Sequence, residues 1–270
     1  MSPSWPHLIL GGGLGLAVLM LVLWLIHLPL RNAALVDFGW AAGLAFLSIG
    51  YAFFGGGWWV RSVMIGTMGG VWGLRLAFYL LWNRVIGQPE EGRYRELRQR
   101  WKTNLAARFL VFFEIQALLD VVLSIPFLLA ARNPEPRLSA LEWMGAGLWM
   151  VALAGEIAAD AQLAAFKARP ESKGHICAGG LWRYSRHPNY FFEWLIWVSF
   201  ALFALSAPYG YLGLISPALI LYFLLRVTGI PATEEQALRS RGEEYRRYQQ
   251  TTSAFIPWFP RQPRHHLSES

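Results

Sequence analysis

LWRYSRHPNYFFEW, Leu181–Trp194, is the stretch on which the reading of this chain turns. A polar loop rich in Arg183, Tyr184, Arg186 and His187 runs into Pro188, and a long apolar run comes next, with Asn189 at its start and Glu193 already inside it. Pro188 suits the first turn of a helix, where a missing N–H costs nothing. The free N–H groups of that turn, flanked by Arg186 and His187, make an expected anion site. Asn189 and Glu193 are four apart and so share one helix face. A cationic loop leading into an apolar helix that keeps a carboxylate reads as a membrane protein with a polar interior.

The rest of the chain agrees. More than half of its residues are hydrophobic, 14 are Trp, and charged residues are scarce, which excludes an ordinary soluble domain. Apolar runs near 8–30, 33–54, 58–83, 108–131, 140–166, 189–207 and 210–229 predict an all-α polytopic bundle of seven spans, with loops capping a cavity on the cytoplasmic side. Gly55, Gly56 and Gly57 divide the second span from the third, and Pro208 and Gly210 divide the last two. The first run has no preceding Lys or Arg and no evident cleavage site, so it reads as a true helix rather than a signal peptide. A single domain is expected over 1–270, with no tandem repeat and no low-complexity linker.

Charge orients the bundle. Segment 84–108 holds seven basic residues, segment 167–187 holds Lys167, Arg169, Lys173, Arg183 and Arg186, and the tail from 230 holds six arginines. The opposite loops carry only Arg61, Arg132 and Arg137. The positive-inside rule therefore predicts a cytoplasmic C-terminus and an outside N-terminus. Topology and anionic lipid account for the net charge of +7, and no nucleic acid is needed to explain it. The single Cys177 excludes an internal disulfide and a cysteine metal cage.

Asp37, Arg75, Glu114, Asp120, Glu156, Asp160, Glu193 and Arg226 lie inside the apolar runs. A charge at mid-bilayer costs several kcal/mol unless it is paired or faces a cavity. Glu114, Asp120 and Glu156 lie near span ends, where headgroup contact explains them; Arg75 stands near the middle of its span. Glu156, Asp160 and Lys167 share one helical stripe, and with Asn189, Glu193 and Arg226 they are expected to line a polar cavity suited to a phosphate-bearing ligand. Interhelical hydrogen bonding is the plainer account of the same groups. Gly39 with Gly43 and Gly69 with Gly73 read as close-packing pairs. GGGLGL at 11–16 lacks the last glycine of a dinucleotide fingerprint, and no P-loop, HExxH or GxSxG is present.

WGLRLAFYLLWNR (72–84), EIAADAQLAAFK (156–167), GGLWRYSRHPNYFFEW (179–194) and EEYRRYQQTTSAFIPWFP (243–260) together resemble the integral-membrane steroid 5α-reductases and their bacterial DUF1295-type relatives. The resemblance implies a seven-helix reductase that binds NADPH from the cytoplasm and delivers hydride to the β-carbon of an enone, typically the Δ4-3-keto group of a steroid. It places Arg75, Tyr79, Asp160, Lys167, Asn189, Glu193 and Arg226 at cofactor contacts. Here the second span offers Asp37 where the animal enzymes have a Gln–Glu pair, and Trp72 stands where they have a substrate-binding Tyr. Glu156 replaces an Asn and Ile230 a His. Isoprenylcysteine carboxyl and phospholipid methyltransferases, which use S-adenosylmethionine, share the RHPxY motif and a carboxylate pair like Glu234–Glu235. Arg75 and the AADAQ segment favour the reductase. A lipid-binding protein without catalysis is a third class.

On the reductase reading, the cofactor phosphates are expected to meet Arg186, His187, Lys167, Arg84 and the loop around Tyr184, while the nicotinamide reaches Arg75, Tyr79 and Glu193. An apolar enone enters from lipid between the N-terminal spans and meets Asp37 and Trp72. Asp37, kept protonated by apolar surroundings, polarises the carbonyl, with Tyr79 as the second catalytic candidate. The chain is expected to act as a monomer in a bacterial inner membrane or endoplasmic reticulum, with no metal.

Overall fold

A computed structural model describes residues 3–261 of the chain. Helices α1 (Trp5–Leu30), α2 (Leu35–Phe54), α3 (Trp59–Leu80), α4 (Gly92–Trp101), α5 (Leu105–Leu123), α6 (Ile125–Arg132), α7 (Ala140–Lys167), α8 (Pro188–Ala204), α9 (Ile215–Tyr222) and α10 (Ile230–Thr251) account for most of it. The described residues contain no named strand, only an isolated bridge between Ser185 and Ser253. Among the described residues six stretches are long and apolar enough to cross a membrane: Trp5–Leu30, Leu35–Phe54, Trp59–Val85, Leu105–Arg132, Ala140–Lys167 and Gly210–Thr251. The chain is therefore built as an integral multi-pass membrane protein.

The differences from the expected spans have local causes. The 108–131 run is two helices: α5 stops at Ser124, and Pro126, which has no N–H to give, falls in the first turn of α6. The 189–207 run forms only 17 residues of helix, about 25 Å at the α-helical rise. The 210–229 run opens as a 3-10 turn, becomes α9 and closes in a π-turn, Phe223–Val227. A second π-turn, Leu81–Val85, ends α3. The polar helices α4 and α10 lie outside the apolar runs, so hydropathy alone gave no sign of them.

The described residues fall into two compact units. The first runs to Met144 and includes Phe200–Ser216; the second is Gly145–Ser199 with the chain from Pro217 onward. Within the first, α2 and α3 pack most closely, and glycines allow it. A Cβ at Gly66 would lie 2.6 Å from Ala52, one at Gly69 2.6 Å from the Ser48 Cβ, and one at Gly73 2.8 Å from the Ala41 carbonyl. Small residues let helix backbones approach where lipid offers no hydrophobic drive. The α2–α3 turn is bound just as tightly: Gly57 N–H donates to the Ala131 carbonyl at 3.0 Å.

One end of this unit is closed by Arg61. Its Nη1 donates to the Asn133 and Glu135 carbonyls at 2.9 and 2.7 Å, its Nη2 to the Arg137 carbonyl at 2.6 Å, and its Nε to the Glu142 carboxylate. Both side chains are almost wholly buried. Glu142 also accepts the Ser139 N–H at 2.7 Å, so one carboxylate caps the start of α7 and neutralises the arginine. Removing either charge strands the other. Glu142→Ala is expected to lower unfolding stability by about 3–5 kcal/mol, read from a detergent-solubilised thermal melt, whereas Arg137→Ala, whose side chain is not part of this network, should leave the melt near wild type.

Candidate functional site

At the far end of α3 the first unit carries its second polar cluster. Asp37, in the first turn of α2, accepts from Arg84 at 3.0 Å, from Arg93 at 2.5 Å and from the Tyr94 hydroxyl at 2.7 Å. Burial, and next the Asp37 carboxylate beside it, push the Tyr94 phenol well above its ordinary pKa, so it stays protonated and donates. Glu90 holds Arg98 with both oxygens and accepts the Ala33 N–H at 2.8 Å. The segment after α3 is thus fastened to the α1–α2 turn.

This corrects two expectations. Asp37 is not an acid isolated among apolar groups: two guanidinium groups and a phenol donate to it, an arrangement for an ionised carboxylate rather than for a proton donor. Arg84, expected at phosphate, bonds Asp37 and Glu91 instead. Trp72 is also corrected from substrate contact to core. It is fully buried, edge-on to Trp40 at 6.1 Å and to Phe200 at 5.7 Å. Arg75 lies with its guanidinium 5.6 Å over the Tyr79 ring, so these two candidates do come together.

In the second unit the RHPNY loop is closed from within. Glu234 Oε1 accepts from Arg186 Nε and Nη2, each at 2.7 Å, and lies 3.3 Å from His187 Nε2; its Oε2 accepts from Gln249 at 2.8 Å. Arg186 Nη1 also donates to the Gln249 and Thr252 carbonyls at 3.1 and 2.5 Å. The His187 ring stacks on Tyr190, 5.4 Å away and nearly parallel. Glu234 and Gln249 are 15 positions apart, about 22 Å along a straight helix. They meet because α10 breaks at Gly242, whose φ of 52° and ψ of −119° fold its two halves back on each other. Arg186 and His187 do hold an anion, the chain's own Glu234, but through their side chains rather than through the N–H groups at the start of α8.

Tyr184 belongs to the same closure. Its carbonyl accepts the Trp258 N–H at 2.9 Å, and its ring meets Phe259 edge-on at 6.1 Å. Ser185 Oγ donates to the Phe255 carbonyl at 2.8 Å, and the Tyr248 hydroxyl donates to the Trp182 carbonyl. The AFIPWF tail is therefore strapped to the loop before α8.

Five expected cofactor residues stand in this unit outside the clasp. Asn189 Nδ2 donates to Asp160 Oδ1 at 3.3 Å, joining α8 to the stripe of α7 that the spacing picked out. Glu193, one turn on from Asn189, accepts from Trp197 Nε1 at 2.9 Å. Lys167 ends α7 and Arg226 lies in the π-turn after α9, both exposed. Of the cations expected at a phosphate-bearing dinucleotide, Arg186, His187 and Arg84 are held by carboxylates of the chain, whereas Lys167 and Arg226 lie at the surface.

All-helical architecture and six apolar spans among the described residues define a multi-pass membrane protein. The chain belongs to a family described as a protein of unknown function, DUF1295, whose model matches residues 23–252. That family is related to steroid 5α-reductase-like proteins. An uncharacterized protein of Schizosaccharomyces pombe is 25% identical over 269 residues, covering 87% of this chain and 76% of that protein. No solved structure matches the chain.

Glu234, Arg93, Tyr94 and the break at Gly242 were missed as organising residues. Gly242 in an otherwise helical polar stretch was the available signal. Glu234→Ala is expected to leave Arg186 without a counter-charge and to lower stability by about 3–5 kcal/mol. Glu235→Ala, which removes an exposed pair with Arg239, should cost less than about 1 kcal/mol. A thermal melt of the two variants side by side makes the comparison.

Proposed function

We propose that the protein is a membrane reductase that uses NADPH to deliver hydride to the β-carbon of an enone in an apolar lipid, a Δ4-3-keto steroid being the substrate class to test first. The observation that supports it best is the Asp160–Asn189 pair, which joins two residues assigned to the cofactor by resemblance, in a chain whose family is related to steroid 5α-reductase-like proteins.

Lys167 and Arg226 would take the cofactor phosphates, and Asp160, Asn189 and Glu193 its polar groups. When bound, NADPH supplies the hydride. Tyr79, its ring under the Arg75 guanidinium, is our second catalytic candidate: its hydroxyl could donate to a substrate oxygen on which negative charge develops. A proton added at the α-carbon completes the reduction. Asp37, as an ion-paired carboxylate, fixes α4 and takes no part as an acid.

Thermal melts of the purified protein with NADPH, NADH and S-adenosylmethionine test the reading. A ligand at about 100 times its Kd stabilises the folded state by about 2.7 kcal/mol. NADPH should do so, and Asn189→Ala and Glu193→Gln should weaken it about 10- to 150-fold, the loss of one hydrogen bond to a charged group. A shift with S-adenosylmethionine alone would sink the reductase in favour of a methyltransferase.

The topology belongs to the same proposal. Seventeen residues lie at the lower limit for a crossing, so α8 counts as a seventh span, the N-terminus lies outside and the C-terminus in the cytoplasm. A thiol introduced by Arg95→Cys in a Cys177→Ser background should resist an impermeant reagent in intact cells. Ready labelling would reverse the orientation.

A further inference from the structure

The first unit has a lipid-facing groove that the reductase reading does not use. It runs between the first turns of α1 and the last turns of α2, encloses about 720 Å³, and is lined by Leu8, Gly11, Gly12, Phe46, Gly50 and Tyr51 among others. Two of its glycines create the space: a Cβ at Gly11 or Gly50 would meet no atom within 4 Å. Exposed Leu10, Phe53 and Phe54 flank it, so the trough opens where the spans meet lipid.

Its polar groups gather at one mouth. Ser4 Oγ lies 2.6 Å from His7 Nδ1, and both line the groove. The first turn of α1 contains no acidic residue, and Ser4 makes no side-chain cap, so the turn's N–H groups keep their partial positive charge. Beside the mouth, Arg132 donates to the Pro3 carbonyl at 2.7 Å and lies 4.8 Å over the Trp5 ring. An imidazole and a helix amino end thus stand at the end of an apolar trough, with a guanidinium held beside them through Pro3, which also lines it. From Ser4 to Gly12 the trough runs along α1 for about 12 Å, close to the roughly 15 Å that is half of a bilayer's hydrocarbon core.

We propose that this groove is a binding site for an anionic phospholipid of the surrounding bilayer, its phosphate at the Ser4–His7–Arg132 mouth and one acyl chain along the glycine floor. The mouth selects the charge, and the length matches the chain of a single leaflet. The site is independent of the proposed reduction, since it lies at the end of α1 and α2 away from Asp37 and Arg84.

The test uses the full-length protein in nanodiscs with a diazirine-acyl phosphatidylglycerol or the matched phosphatidylcholine, with peptide mapping of the photolabel. Label should concentrate within residues 4–12 and 46–54, with phosphatidylglycerol ahead by about fivefold, the preference one cation near the headgroup gives. Gly50→Leu and, separately, Gly11→Leu fill open space, so they should remove the label while leaving the thermal melt unchanged. His7→Ala with Arg132→Gln should abolish the headgroup preference alone. Equal labelling by the two lipids overturns the proposal, as does undiminished labelling in both leucine variants. Displacement by an equal concentration of free oleate overturns the commitment to phospholipid and makes the occupant a fatty acid.

Discussion

Hydrocarbon offers no partner to a bare N–H or C=O, so each crossing segment must satisfy its own backbone and only the helix ends are left to pair with polar side chains. The charge clusters of this protein obey that constraint. Arg61 and Glu142 close one end of the first unit, and Asp37 with Arg84, Arg93 and Tyr94 closes the other. Trp59 to Leu80 separates them by 22 residues of helix, about 33 Å. In the second unit Glu234, Arg186 and His187 play the same part beside the start of α8. Each carboxylate of these three clusters accepts from more than one donor, which is the condition under which a buried charge is tolerated.

That pairing divides the cations into two classes. Arg61, Arg84, Arg93 and Arg186 have their guanidinium groups engaged by carboxylates of the chain, and moving any of them to a ligand would leave a buried acid behind. Lys167 and Arg226 differ from these in burial: both sit exposed at helix ends, where any ion pair is worth little. In the second unit the Asp160–Asn189 hydrogen bond joins α7 to α8, with Glu193 one turn further along α8.

The parts of this fold legible in sequence are those governed by one local rule. Apolar length located six spanning stretches among the described residues, Pro188 marked the start of α8, and the Gly69–Gly73 spacing foretold the close approach of α3 to α2. Helical periodicity likewise put Asp160 and Asn189 on faces that meet. Partnerships across long separations escaped. Arg186 and Glu234 are 48 positions apart, and nothing local to either says that the other supplies its counter-charge. Asp37 read as an isolated acid because its partners lie 47 to 57 positions on, in segments too polar to register as a span. Trp72 aligned with a substrate residue by position, whereas its place between Trp40 and Phe200 depends on three separate helices.

The two π-turns give the arginines they carry a particular vulnerability. Leu81–Val85 holds Arg84 and Phe223–Val227 holds Arg226. A π-turn is an α-helix with one extra residue accommodated in a single turn. Deleting one residue from either segment would let that turn close with regular α-winding, because the wide turn is what absorbs the extra residue. The turn that now carries Arg84 to Asp37 would be gone, as would the one that carries Arg226, with almost no change in hydropathy. The width of these two turns, and not only the presence of an arginine, sets where each guanidinium lies.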